Sequence, residues 1–248
     1  AREHALELRA QWPREKFTEL LKVFPPHAFL VGFSSVIWRE AWKYGERAFR
    51  YCQHDAGHAI ASARIAARTL GWRMLLLDGT SDDTVSALLG IDRPGDFESA
   101  EREHPDCLAV VWPADIGAGA AEGMPQQLPL SLSMDAARDL TQLTWHGKAN
   151  RLSRGDPVHW ENIDRAERAT WKSSTEEKSV DLAQDDSHAQ PIPGAGNPPQ
   201  SAYPGQPTAG QIIRQRRSAL AFDGETAISS ASFFAMLARV LPRADREL

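Results

Sequence analysis

An α+β fold is predicted for this 248-residue chain, and three observations predict it. Apolar residues recur at helical spacing in several segments, and short runs rich in Val, Leu and Phe lie between them. The two kinds alternate without the regularity of repeated β-α-β units. Composition agrees with a folded domain, at 42% hydrophobic and 25% charged residues. A net charge of −5 gives no general attraction to nucleic acid or to an anionic membrane, so neither is an expected partner. No apolar run reaches the roughly 20 residues that a membrane-spanning helix needs, and the opening residues do not read as a secretory leader. Two cysteines, Cys52 and Cys107, are too few for a disulfide scaffold, so a reducing, cytoplasmic setting is expected.

The elements follow in order. In "PREKFTELLKVFPP", Phe17, Leu20, Leu21 and Phe24 fall at helical spacing and Pro25-Pro26 stops the helix. "HAFLVGFSSV" reads as a buried strand. "VIWREAWKYGERAFRYC" reads as one helix with Trp38, Ala41, Trp42 and Phe49 on its apolar side. Its basic stripe of Arg39, Lys43, Arg47 and Arg50 reads as a solvated face. From Asp55 to Leu70, Ala56, Ala59, Ile60, Ala63, Ala66, Ala67 and Leu70 occupy a narrow arc of a helical wheel, with Gly71 as the C-terminal cap. A face of small side chains lets another helix approach closely. "RMLLLD" is a short strand, "SDDTVSALLG" a helix capped by Ser81, and "DCLAVVWP" a further strand.

Composition shifts near Ala114. Gly, Pro and Gln gather in "GAGAAEGMPQQLPLS", a helix is read over Asp135–Trp145, and residues 151–190 are polar and poor in Val, Ile and Leu. Between Pro191 and Gly210, ten of twenty residues are Pro or Gly, the composition of a linker. Order is expected to resume near Ala209, with a helix from about Ser230 to Pro242 that carries Phe233, Met236, Leu237, Val240 and Leu241. The divisions expected are therefore 1–113, a connecting segment over 114–208, and 209–248. The chain opens without Met and closes just after a helical pattern, so both ends read as cuts through something longer.

Two motifs invite a chemical reading. His54-Asp55-Ala56-Gly57-His58 is one methylene from the H-E-x-x-H signature, and histidines at i and i+4 can share a zinc ion. Asp55 holds its carboxylate further from a bound water than Glu would, and no third ligand stands out. No metal is therefore assigned, and a zinc hydrolase stays an alternative. In "IIRQRRSALAFDG", Arg216, Arg217 and Ser218 can hold a phosphate by charge-assisted and neutral hydrogen bonds, although such a triplet also suits a surface loop or a kinase target.

Taken together, "WREAWKYGERAFRYCQHDAGHAIASARIAARTLGW", "LLGIDR", "EREHPDCLAVVWP" and "IIRQRRSALAFDGETAISSASFFAMLARVLP" resemble the flavin-dependent nitroreductase superfamily. Within it they are similar to the SagB/ThcOx-type dehydrogenase branch, which often occurs as two fused halves. The resemblance implies a nitroreductase-like fold, with residues 1–113 as the later part of a first half and 209–248 as the opening of a second. It implies FMN as cofactor, gripped at its phosphate and ribityl chain by Arg216, Arg217 and Ser218. The family often has a basic residue two places beyond that serine, where this chain has Leu220. Lys43 and Tyr44 match a catalytic Lys-Tyr pair, one member of which takes a proton once its pKa is lowered. The substrate would be a peptide azoline or another small molecule. The helix around His54 and His58 would pair two nitroreductase-like halves, within one chain or in a dimer. The alternative from another class is a flavin-free interaction module of the same fold.

Overall fold

The computed structural model describes residues 5–98, 100–115, 125–135, 143–151, 158–182, 208–218 and 220–238. The chain divides into two compact units, Ala1–Asp185 and Asp186–Leu248. The first runs α1 (Arg14–Leu21), β1 (Phe29–Ser35), α2 (Trp38–Tyr44), a 3-10 turn (Gly45–Arg47), α3 (Ala48–Thr69) and β2 (Trp72–Leu76). It continues through α4 (Asp82–Leu89), α5 (Pro94–Phe97), β3 (His104–Pro113), β4 (Gln127–Pro129), α6 (Glu161–Thr170) and β5 (Ser179–Asp181). Its sheets are small and antiparallel, so the unit is α+β.

β3 lies at the centre of the main sheet, with β1 on one side and β2 on the other, both antiparallel to it. β1 and β2 therefore run parallel to each other with β3 between them, a split β-α-β unit whose crossover is α2 and α3. Side chains alternate along β3. Leu108, Val110 and Trp112 join Leu20, Leu21 and Phe24 of the α1 region, Leu77, Val85 of α4, and Leu128 and Leu132 in the principal core. Ala109 and Val111 are equally buried but point to the opposite face, where α3 crosses the sheet. A buried Leu or Val stabilises by about 1.5–3 kcal/mol relative to exposure, so the central strand anchors both layers.

Several local expectations hold. The Ser81 side chain accepts a hydrogen bond from the Thr84 N–H at 3.2 Å and caps α4. Gly71 follows α3 with φ +73°, the left-handed conformation that closes a helix. Along α3, Ala67 is buried and Ala56, Ala59, Ile60 and Ala63 are half-buried, whereas Ala66 and Leu70 stand exposed. Other expectations change. The segment read as one helix over 36–52 breaks at Gly45, whose φ of +59° and ψ of −140° a side chain would strain. α3 then runs unbroken from Ala48 through both histidines. Trp145, expected to end a helix, instead forms an extended bridge with Ala10; residues 136–142 of that expectation lie outside the described residues.

The stretch expected to connect two halves supplies core. Leu128, Leu130 and Leu132 are buried, β4 pairs with β5, and Ile163 of α6 packs with Ile37, Ala41, Ala48 and Cys52. The Pro/Gly-rich residues 191–207 lie outside the described residues, as do Val240 and Leu241.

In the second unit, α7 (Ala209–Gln215) begins with a reciprocal capping box between Thr208 and Gln211. Asp223 closes a turn on the N–H groups of Glu225 and Thr226. α8 (Ser230–Ala238) follows, with Phe233, Phe234, Met236 and Leu237 exposed. Among the described residues no helix is long and apolar enough to cross a membrane.

Candidate active site

Lys43 and Tyr44 sit at the C-terminal end of α2, where the chain turns at Gly45. Lys43 Nζ lies 4.9 Å from the Tyr44 ring centroid, within the range of a cation–π contact. The Tyr44 ring meets the Tyr51 ring edge-on, with centroids 4.8 Å apart and planes at 68°. Tyr51 belongs to α3, so this contact ties the two helices on either side of the turn. The Tyr44 phenol oxygen beside it raises the Lys43 pKa above its ordinary 10.5, with Glu40 adding to the effect. The direction is opposite to the lowering expected from the sequence, and the cause is local. Lys43 is exposed, and the neighbouring phenol oxygen favours the ammonium form by more than desolvation opposes it.

α6 closes the other side of the turn. The six-membered ring of Trp160 lies against Gly45, and a Cβ built there would come within 3.1 Å of Trp160 Cη2. Asn162 Nδ2 donates to Glu46 Oε1 at 2.5 Å. Towards the far end of α6, Glu167 Oε1 lies 2.6 Å from His104 Nδ1 at the start of β3. That approach does not meet hydrogen-bond geometry, and His104 Nδ1 is buried without a hydrogen-bond partner. Burial pushes the Glu167 pKa up, but His104, Arg102 and Arg168 outweigh burial and lower it.

The remaining sequence candidates fall elsewhere. Arg216, Arg217 and Ser218 belong to the second unit, directly after α7, and all three are exposed. Arg217 Nη1 donates to the carbonyls of Arg214 and Arg216, each at 2.8 Å, and so closes the end of its own helix. Two guanidinium groups and a hydroxyl are a donor set that fits a phosphate; Arg217 would exchange its helix-closing bonds for such a ligand. His54, Asp55 and His58 project from the exposed side of α3, with His58 Nδ1 4.0 Å from Asp55 Oδ1. Among the described residues no group of three or more His, Cys, Asp or Glu side chains is placed to hold a metal ion.

Tyr51, Trp160 and Asn162 were not singled out in the sequence. Tyr51 lies seven residues beyond Tyr44, a spacing that brings the rings together only because the helix breaks between them. Trp160 sits in a polar stretch with little periodicity to mark it. A cavity of about 990 Å³ lies elsewhere, between α1 and residues 129–135, and is lined by Trp12, Leu20, Leu132 and Thr175 among others. It contains none of the candidate residues. No family model, curated protein or solved structure matches the chain.

Proposed function

We propose that the chain is part of an FMN-dependent oxidoreductase of nitroreductase-like fold, similar to the SagB-type dehydrogenases. The observation that carries this reading is the Lys43–Tyr44 pair at a helix break, with the Lys43 ammonium over the Tyr44 ring, Tyr44 edge-on to Tyr51, and the following Gly45 against Trp160. FMN, when bound, supplies the two-electron chemistry, and Arg216, Arg217 and Ser218 would hold its phosphate. The chain's own residues handle the proton. Lys43, kept as an ammonium, is the donor of the pair, and the Tyr44 hydroxyl carries a proton between Lys43 and a bound substrate. The substrate is a peptide azoline or another small oxidisable or reducible molecule. Two further features support the setting. Cys52 and Cys107 are both free thiols, and burial raises each thiol pKa to about 11, which suits a reducing, cytoplasmic location. The exposed apolar face of α8 supports pairing of two nitroreductase-like halves or a dimer.

Titration of the purified full chain with FMN, followed by visible absorbance and flavin fluorescence, tests the reading. A saturable complex is expected, weakened by Arg216→Ala. Lys43→Ala and Tyr44→Phe are expected to keep the flavin and lower turnover by about 10²–10⁴-fold, the usual worth of a positioned proton donor or acceptor. Because the Lys43 pKa is raised, oxidation that deposits a proton on the pair should quicken as pH climbs towards and past 10.5. A chain that binds no flavin would instead favour the interaction module.

A further inference from the structure

We infer that Trp160 and Asn162, at the start of α6, are positioning residues for the Lys43–Tyr44 pair, which they hold by gripping the Gly45 turn. The catalytic meaning of this inference rests on the reading above, but its geometry does not. Tyr44, Gly45 and Glu46 are consecutive, and each is held by a different contact. Tyr44 is held by the Tyr51 ring, Gly45 by the Trp160 indole, and Glu46 by the Asn162 amide. Gly45 adopts a backbone conformation open to glycine and strained for other residues, so the turn needs outside contacts to select one geometry. The indole is itself fixed from below. Trp160 packs against the cluster of Ile37, Ala41, Ala48, Cys52 and Ile163, and its carbonyl accepts the Ile163 N–H at 2.9 Å. Lys43, one residue ahead of Tyr44, depends on the turn to keep its Nζ over the phenol ring. With the indole gone, the turn has room to relax, and an exposed lysine side chain has ample rotamer freedom with which to leave.

The test reads Lys43 directly. Full-length protein labelled at lysine Cε is titrated by NMR, with Lys43→Arg used to assign the resonance. In the unsubstituted chain Lys43 should titrate above 10.5. Trp160→Ala should return it towards the ordinary lysine value, and Trp160→Phe, which keeps an aromatic ring against Gly45, should restore most of the difference. A purely structural role for Trp160 would lower the melting temperature without moving this titration. If Trp160→Ala does not fold, Asn162→Ala takes its place, because it cuts the surface tie to Glu46 and otherwise only an exposed bond from Arg165 within α6, and should shift Lys43 in the same direction by less. Either variant, folded by circular dichroism and with Lys43 titrating as in the unsubstituted chain, overturns the inference. Flavin binding is scored separately. A chain that binds no FMN yet shows the Trp160-dependent shift keeps the clamp and loses the flavoenzyme. Where turnover is measurable, the same substitution should lower kcat by about 10–100-fold, with KM little changed, as expected when a reacting group is displaced by about an ångström.

Discussion

Asp106 is the residue in β3 where local chemistry and sheet geometry conflict most. The register between β1 and β3 slips after the Phe33–Cys107 pair, so that Ser34 faces Pro105 and Asp106 is the extra residue of a bulge. Pro105 has no N–H to give the ladder, which is why the slip is tolerated there. The Asp106 carboxylate accepts the Ser35 hydroxyl at 2.6 Å, yet burial outweighs that bond and raises its pKa. A carboxyl raised in the fold favours the protonated native state. Its contribution is fully present below the ordinary 3.8 and is lost as pH rises through the higher folded value. Asp106→Asn keeps the shape and the acceptor while removing the charge. Thermal melts should therefore show the variant more stable than the parent at pH 7, with the difference vanishing near pH 3. Equal melting temperatures at both pH values would show that the buried charge costs nothing.

Elements differ in how plainly the sequence announces them, and the difference has a physical cause. α1 and α3 are visible because apolar or small residues recur along one side of each, where a 3.6-residue period shows, and α4, buried along Thr84–Ala87, is announced by its Ser81 cap. β3 is visible because its apolar run is buried on both faces of the sheet, and β1 because its half-buried run is rich in Phe, Leu and Val. The break between α2 and α3 is hidden because one glycine at position 45 decides it, and glycine within a helical pattern is compatible with continuation. α6 is hidden because it buries a single residue, Ile163, and is otherwise charged. β4 and β5 are three residues each, too short for a period to register. The candidate site was therefore half legible: Lys43 and Tyr44 could be named from a motif, whereas their supports on α6 required the tertiary fold. Two substitutions probe this level. Ser81→Ala removes the α4 cap and should cost about 1 kcal/mol in denaturant unfolding. Ile163→Ala empties the only buried position of α6 and should cost about 2–4 kcal/mol, with protection of the α6 amides lost first in hydrogen exchange.

At the scale of the molecule, the core described in the first unit includes residues as distant in sequence as Leu20 and Leu132, and Val180 and Leu182 pack against it. The boundary expected near residue 113 would cut through that core. A chain ended at Asp185 should fold with the cooperative melt of the full protein, whereas one ended at Pro113 should lose Leu128, Leu132 and α6 and fail to melt cooperatively; scanning calorimetry separates the two outcomes. Biosynthesis meets the sheet in a different order from the one in which it is built. β1 and β2 leave the ribosome before the strand that joins them. At about 5–20 residues per second, each nascent chain spends several seconds with both flanking strands made and the shared partner still to come. During that interval the open edges of β1 and β2 can pair with the same strands on a neighbouring nascent chain. A translational pause placed between Leu77 and His104 should lengthen the interval and lower the yield of folded protein, while one placed after Pro113 should be harmless to the sheet.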